Sequence, residues 1–257
     1  QDSYSSRCLT GGAGWVAAVA DGHGSLLHPR SQHGSRMATE RAIECCEYFI
    51  NTYPEKLRDS RDPTDWLKDE LVKLICEKWR ESVYEHCQKP YQNSLLGKPQ
   101  VDLSDLDTPI LYGCTLAVAF ACSHRLFTVS IGDSEISLAL GNPVRPIVDI
   151  HGCDKYFGEQ TDSLCMSNAW QKSKVMTYAL DDVSSVFLHT DGISKSLEAK
   201  EDLSEMLLYY CAMGYSCASD EQIRLDMHDQ LTELTINGSG DDCTLVHVLL
   251  DHVSSGF

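Results

Sequence analysis

The sequence has no run approaching the roughly 18 consecutive apolar residues that a membrane helix needs, no cluster of Lys or Arg, and no Cys-x-x-Cys pair. The first absence sets aside a membrane partner. The second sets aside nucleic acid, because 38 acidic residues against 21 basic ones leave a net charge of -17 and no basic footprint for phosphates. A metal-dependent nuclease is disfavoured for the same reason. The third sets aside a zinc ribbon or thioredoxin-like site despite 12 cysteines. Cys45, Cys46, Cys76 and Cys122 lie inside apolar runs and read as small buried hydrophobes. The chain is neither short nor visibly secreted, which points to a reducing, cytoplasmic setting. Its opening residues, Gln1 to Arg7, are polar and do not read as a signal peptide. No repeat, low-complexity tract or long Gly/Ser linker divides the 257 residues, so a single domain over 1–257 is expected.

What is present is an ordinary globular balance, 42% hydrophobic and 23% charged. Trp15 to Ala20 is a continuous apolar run and reads as a buried strand ended by Asp21-Gly22-His23-Gly24. Ala38, Ala42, Cys45, Cys46, Phe49 and Ile50 have helical spacing and predict a helix over 35–50, closed by Asn51 and Pro54. A second helix is predicted from Pro63-Thr64 to about Cys87, and a loop over 88–108. Strands follow at 115–122 and 126–131, joined as a hairpin through Ser123-His124-Arg125. Glu135 to Leu140 alternates as a half-buried strand should. Residues 141–180 look irregular and read as an insertion. A strand at 185–190, helices at 203–213 and 221–236, and a strand at 243–250 complete the pass. Strands come in runs and helices in groups, which is not βαβ alternation. The expected fold class is α+β, two antiparallel β-sheets forming a central sandwich flanked by helices on both sides.

Four aspartates sit at the ends of these apolar strands. Asp21, Asp133 and Asp191 each follow a strand, and Asp241 precedes one. In antiparallel sheets the end of one strand neighbours the start of the next, so four such carboxylates can meet on one rim. Like charges at that distance either raise a pKa or bind cations. Mg²⁺ and Mn²⁺ prefer oxygen donors of this kind. The remaining histidines show no metal-ligand spacing, and Cys153 and Cys165 carry no redox signature.

In chain order, Gln1-Asp2-Ser3, Asp21-Gly22-His23-Gly24, Gly113-Cys114-Thr115-Leu116-Ala117, Ile131-Gly132-Asp133-Ser134, Thr190-Asp191-Gly192-Ile193 and Gly240-Asp241-Asp242-Cys243-Thr244 resemble the motifs of the metal-dependent protein phosphatases of type 2C, with a bacterial cast to residues 150–200. The likeness implies a serine/threonine phosphoprotein phosphatase using two Mn²⁺ or Mg²⁺ ions and a third, weaker one. Asp21 would bridge two metals and the Gly22 carbonyl would bind one. Asp191 and Asp241 would bind the other. Asp133 would serve the third, Asp2 would act through water, and His23 would be the general acid. A hydroxide held between the metals would attack phosphorus in line, with no covalent enzyme intermediate. Gln1, Cys114, Glu135 and Asp242 depart from the family's Glu, Ser, Arg and Asn, and its phosphate-binding arginine falls ahead of Gln1. The alternative is a catalytically weak relative serving as a binding or signalling module. The implied partner is a protein carrying phosphoserine or phosphothreonine; the oligomeric state is left open.

Overall fold

The computed structural model describes residues 1–9, 14–88, 107–141, 148–149, 161–216 and 218–250. Two antiparallel sheets lie face to face. The first has five strands in the order β1 (Ser3–Cys8), β2 (Gly14–Ala20), β3 (Leu116–Cys122), β4 (Arg125–Ile131) and β7 (Lys174–Ala179). The second has four, in the order β6 (Val148–Asp149), β5 (Glu135–Leu140), β8 (Val183–His189) and β9 (Leu245–Leu249). The sheets press Ala17, Val19, Ala117, Ala119 and Leu126 against Ile136, Leu138, Val186 and Leu188.

Helices cover both outer faces, as the α+β sandwich reading requires. Alternate residues of β2 and β3, among them Ala18, Ala20, Val118 and Phe120, face away from the sandwich interior into a core with α1 (Ser31–Thr52) and α4 (Lys73–Cys87). Strands buried on both faces read as unbroken apolar runs, which is why β2 and β3 are legible in the sequence. On the other side, Ala139 and Phe187 pack against α6 (Asp191–Ser196) and α7 (Lys200–Tyr215), with Ile223, Met227 and Leu231 of α8 (Asp220–Asn237) at their margin.

The predicted boundaries shift in places, each for a local reason. α1 begins at Ser31, ahead of the apolar stripe, and Pro54 opens a short helix, α2 (Pro54–Asp59), because a first-turn residue needs no N–H. α3 (Thr64–Trp66), a π-helical stretch (Leu67–Val72) and α4 run on as the single second helix. Gly34 lies against the 3₁₀ turn Thr108–Tyr112; a Cβ there would collide with the Tyr112 carbonyl, and the Gly34 carbonyl accepts from Trp79 Nε1 at 2.9 Å. β5 is not half-buried: residues 135–139 are all buried, since one face meets the first sheet and the other meets α6 and α7.

Residues 141–180 are less irregular than expected. They supply α5 (Ala169–Lys172), edge strand β7 paired with β4, and the two-residue β6. β7 leaves no strand signal in the sequence because its residues are exposed or half-buried and carry no apolar run. Residues 142–147 and 150–160, with His151 and Cys153, and positions 89–106 of the predicted loop, lie outside the described residues. β1 likewise has no apolar run; it is polar and mostly exposed, and it forms by pairing with β2. Among the described residues, no helix is long and apolar enough to cross a membrane.

Candidate metal centre

Asp21 is the first residue past β2. Its N–H donates to Thr115 Oγ1 at 3.0 Å, and the Thr115 N–H donates to the Asp21 carbonyl at 2.9 Å. Thr115 Oγ1 also meets Ser134 Oγ at 2.6 Å, so one hydroxyl ties the ends of β2, β3 and β4 together. The His23 N–H donates to the Gly113 carbonyl at 3.1 Å. Gly113 is needed there: a Cβ would stand 2.5 Å from His28 Nδ1 and 2.8 Å from His23 Cδ2.

Asp133 lies where the chain passes from one sheet to the other. The passage turns on Gly132 at φ +91, a left-handed conformation that glycine adopts without strain. Thr161 Oγ1 donates to Asp133 Oδ2 at 2.9 Å. Asp191 follows β8 and begins α6. It is only 6% exposed, so its carboxylate sits below the surface of the rim.

These elements bring Asp21, Asp133 and Asp191 together: one carboxylate oxygen from each lies within 4.8 Å of the others. Asp2 stands beside Asp21 and accepts from Thr190 Oγ1 at 2.7 Å. Gly22, His23 and Asp241 line the same cavity of about 370 Å³ as the three aspartates. Asp241 is outside the tight group and half-buried; its Oδ2 lies 3.4 Å from Lys195 Nζ. The Gly22 carbonyl accepts at 2.7 Å from the Gln1 side-chain amide, once that amide is oriented with its nitrogen inward.

The electrostatics of the group are those of a site short of positive charge. Burial, then the charge and hydrogen bond of Asp2, then Asp191 and Asp241, push the Asp21 carboxyl up to about 9. Burial and Asp133 push Asp191 up to about 7, partly opposed by Lys195. Burial raises Asp2 against hydrogen bonds from Asp21, Thr190 and Thr244. His23 moves down to about 4, mainly by burial and then by the neighbouring His28. Burial pulls the Lys195 ammonium down, but the hydrogen bonds and charges of Asp191 and Asp241 outweigh it and raise it overall.

The donor set fits a hard divalent cation. It is all oxygen, and two buried oxygens, Asp2 Oδ1 and Asp191 Oδ1, have no hydrogen-bond partner. A buried polar atom without a partner is costly, and a cation would satisfy it. Sequence reading missed Thr115, Thr161 and Lys195. Lys195 stands four residues after Asp191, the spacing of one helix face, but Asp-Gly reads as a turn, which hides a helix of six residues.

Residues 1–234 match the family model described as Protein phosphatase 2C. No curated protein matches. Among solved structures the chain is similar to a bacterial serine phosphatase at 14% identity and TM-score 0.60, covering 97% of this chain and 91% of that one. It is similar to the serine/threonine phosphatase Stp1 from Staphylococcus aureus at 12% identity and TM-score 0.56, covering 98% and 95%. It is also similar to the catalytic domain of the serine/threonine phosphatase PstP, solved in complex with two manganese ions, at 15% identity and TM-score 0.53, covering 96% of each.

Proposed function

The chain belongs to the protein phosphatase 2C family and is a protein serine/threonine phosphatase, and on that premise we propose how its site works. It takes two divalent cations, Mn²⁺ or Mg²⁺, as the PstP domain does with manganese. Asp21 would be shared between them, the Gly22 carbonyl would help to hold one, and Asp191 and Asp241 would hold the other. Asp133 would serve a third, weaker one, and Asp2 would act through water. When bound, the cations supply Lewis acidity, drawing charge from the phosphoryl oxygens and lowering the pKa of water to about 7.

The protein's own part is to hold and to position. Thr115 and Ser134 fix the Asp21 and Asp133 ends of their strands. The cavity beside His23 admits a phosphoserine or phosphothreonine side chain of a partner protein. Water gives up a proton to solvent and attacks phosphorus in line, the bond to the serine or threonine oxygen breaks, that oxygen takes up a proton from His23, and His23 regains one from solvent. Residues 1–257 act as one domain, in the cytoplasm.

The observation that carries this reading is the convergence of Asp21, Asp133 and Asp191 with a buried, unpartnered oxygen on Asp191. It is tested by hydrolysis of a phosphothreonine peptide and of p-nitrophenyl phosphate, with Mn²⁺ and with excess EDTA. Turnover that requires Mn²⁺ and stops in EDTA is expected. Undiminished turnover in chelator overturns the metal mechanism, and Mn²⁺ binding without turnover leaves a binding or signalling module.

A further inference from the structure

Lys195 is the one Lys or Arg lining the cavity among the described residues. Its Nζ lies 2.7 Å from Asp191 Oδ2 and 3.4 Å from Asp241 Oδ2. Asp191 and Lys195 come from one face of α6, while Asp241 comes from the segment after α8. An ammonium thus stands between the two carboxylates that frame one of the proposed cation positions. The two oxygens of Asp191 are treated differently: Oδ2 holds Lys195, and Oδ1, on a side chain only 8% exposed, has no hydrogen-bond partner.

We propose that Lys195 is a built-in competitor for the Asp191–Asp241 position, which a divalent cation fills only by displacing the ammonium. This rests on the two-cation reading and adds an order to it. The position that does not touch Lys195 fills first and tightly; the position against Lys195 fills second and weakly. The physics is a contest between cations for the same oxygens. A metal ion must break two charge-assisted contacts and turn the ammonium back to water. The stem can move without opening the core, because the Lys195 side chain is 52% exposed and flexible. With Lys195 gone, the carboxylates lose a neutralising charge and attract a cation more strongly.

The test is isothermal titration of Mn²⁺ into the metal-stripped protein, its Lys195→Met variant and its Lys195→Arg variant, at one pH and ionic strength. The wild type is expected to show one tight and one weaker site. Lys195→Met should tighten the weaker site by about tenfold, within the usual range for a coupling between two ligands, and leave the tight site nearly unchanged. Lys195→Arg keeps a cation in place and should follow the wild type. Circular dichroism checks that each variant is folded. Two equally tight sites in the wild type, or identical isotherms for wild type and Lys195→Met, overturn the role of Lys195 and leave the metal site standing. An absence of Mn²⁺ binding in all three removes the metal site itself, and the proposal with it.

Discussion

The two helical layers are built differently. α1, outside the five-stranded sheet, buries 12 of its 22 residues, whereas α8, beyond the four-stranded sheet, has no buried residue in its 18. The site draws on both sides. Asp21 and Asp133 leave strands buried on both faces and are cross-tied through Thr115 and Ser134. Asp241 follows α8 and is placed by polar contacts: Ser239 Oγ meets Ser196 Oγ at 2.9 Å, and the Ser239 N–H donates to Ser196 Oγ at 3.1 Å. One wall is therefore set by the core and the other by a few surface hydrogen bonds. A core-set wall can hold like charges close together at a cost in stability; a surface-set wall can move to meet a ligand.

The largest effect should come from the core-set wall. Asp21→Asn is expected to lower kcat on a phosphothreonine peptide by roughly 10³-fold, the scale of losing one electrostatic stabiliser of the transition state. The same variant should melt at a higher temperature than the wild type without metal at pH 8, because the wild-type carboxyl, raised to about 9 by the fold, must take up a proton to fold and the amide need not. A fall in both activity and melting temperature breaks the comparison.

Phe120→Ala tests the core behind that wall. Phe120 is fully buried and stacks on Phe127 with ring centroids 4.9 Å apart. The loss should be about 3–5 kcal/mol in urea unfolding. His23→Ala comes next, at roughly 10²-fold on phosphothreonine, the low end of general acid catalysis. Its ring is held near pKa 4, so the protonated form is scarce at neutral pH. The defect should shrink on p-nitrophenyl phosphate, whose leaving group departs as an anion; equal losses on both substrates refute proton donation.

Stability against pH gives a smaller, signed effect. Asp21 and Asp191 are raised from 3.8 in the unfolded chain to about 9 and about 7 in the fold. A carboxyl raised by folding gives stability that is full below about pH 4 and lost as pH rises through the folded values. The melting temperature of the metal-stripped protein should therefore fall from pH 5 to pH 9. Saturating Mn²⁺ should flatten that slope by supplying the missing counter-charge. The smallest effect belongs to the outer layer: Leu225→Ala, at a side chain 53% exposed on α8, should stay within about 0.5 kcal/mol of wild type.

The same contrast decides what the sequence discloses. Asp21 and Asp133 are legible because each stops a strand that is apolar on both faces. β1, a polar edge strand, leaves no periodic signal, and β7 leaves little more. β5 shows alternation, yet Ser137 is buried beside His189 and Glu135 beside Ser194, so a polar residue there does not mark a solvent face. Lys195 is hidden by the shortness of α6. Its role depends on Asp241, 46 residues away, and a contact at that separation has no local signature.

The central claim is that Asp21, Asp133 and Asp191 converge because they hold cations. The most direct measurement is an anomalous difference map from crystals of this protein soaked in Mn²⁺. A peak bonded to carboxylate oxygens of Asp21, within about 2.0–2.3 Å, and a second, weaker peak against Asp191 and Asp241 are expected. A map with no peak among these aspartates at saturating Mn²⁺ contradicts the account.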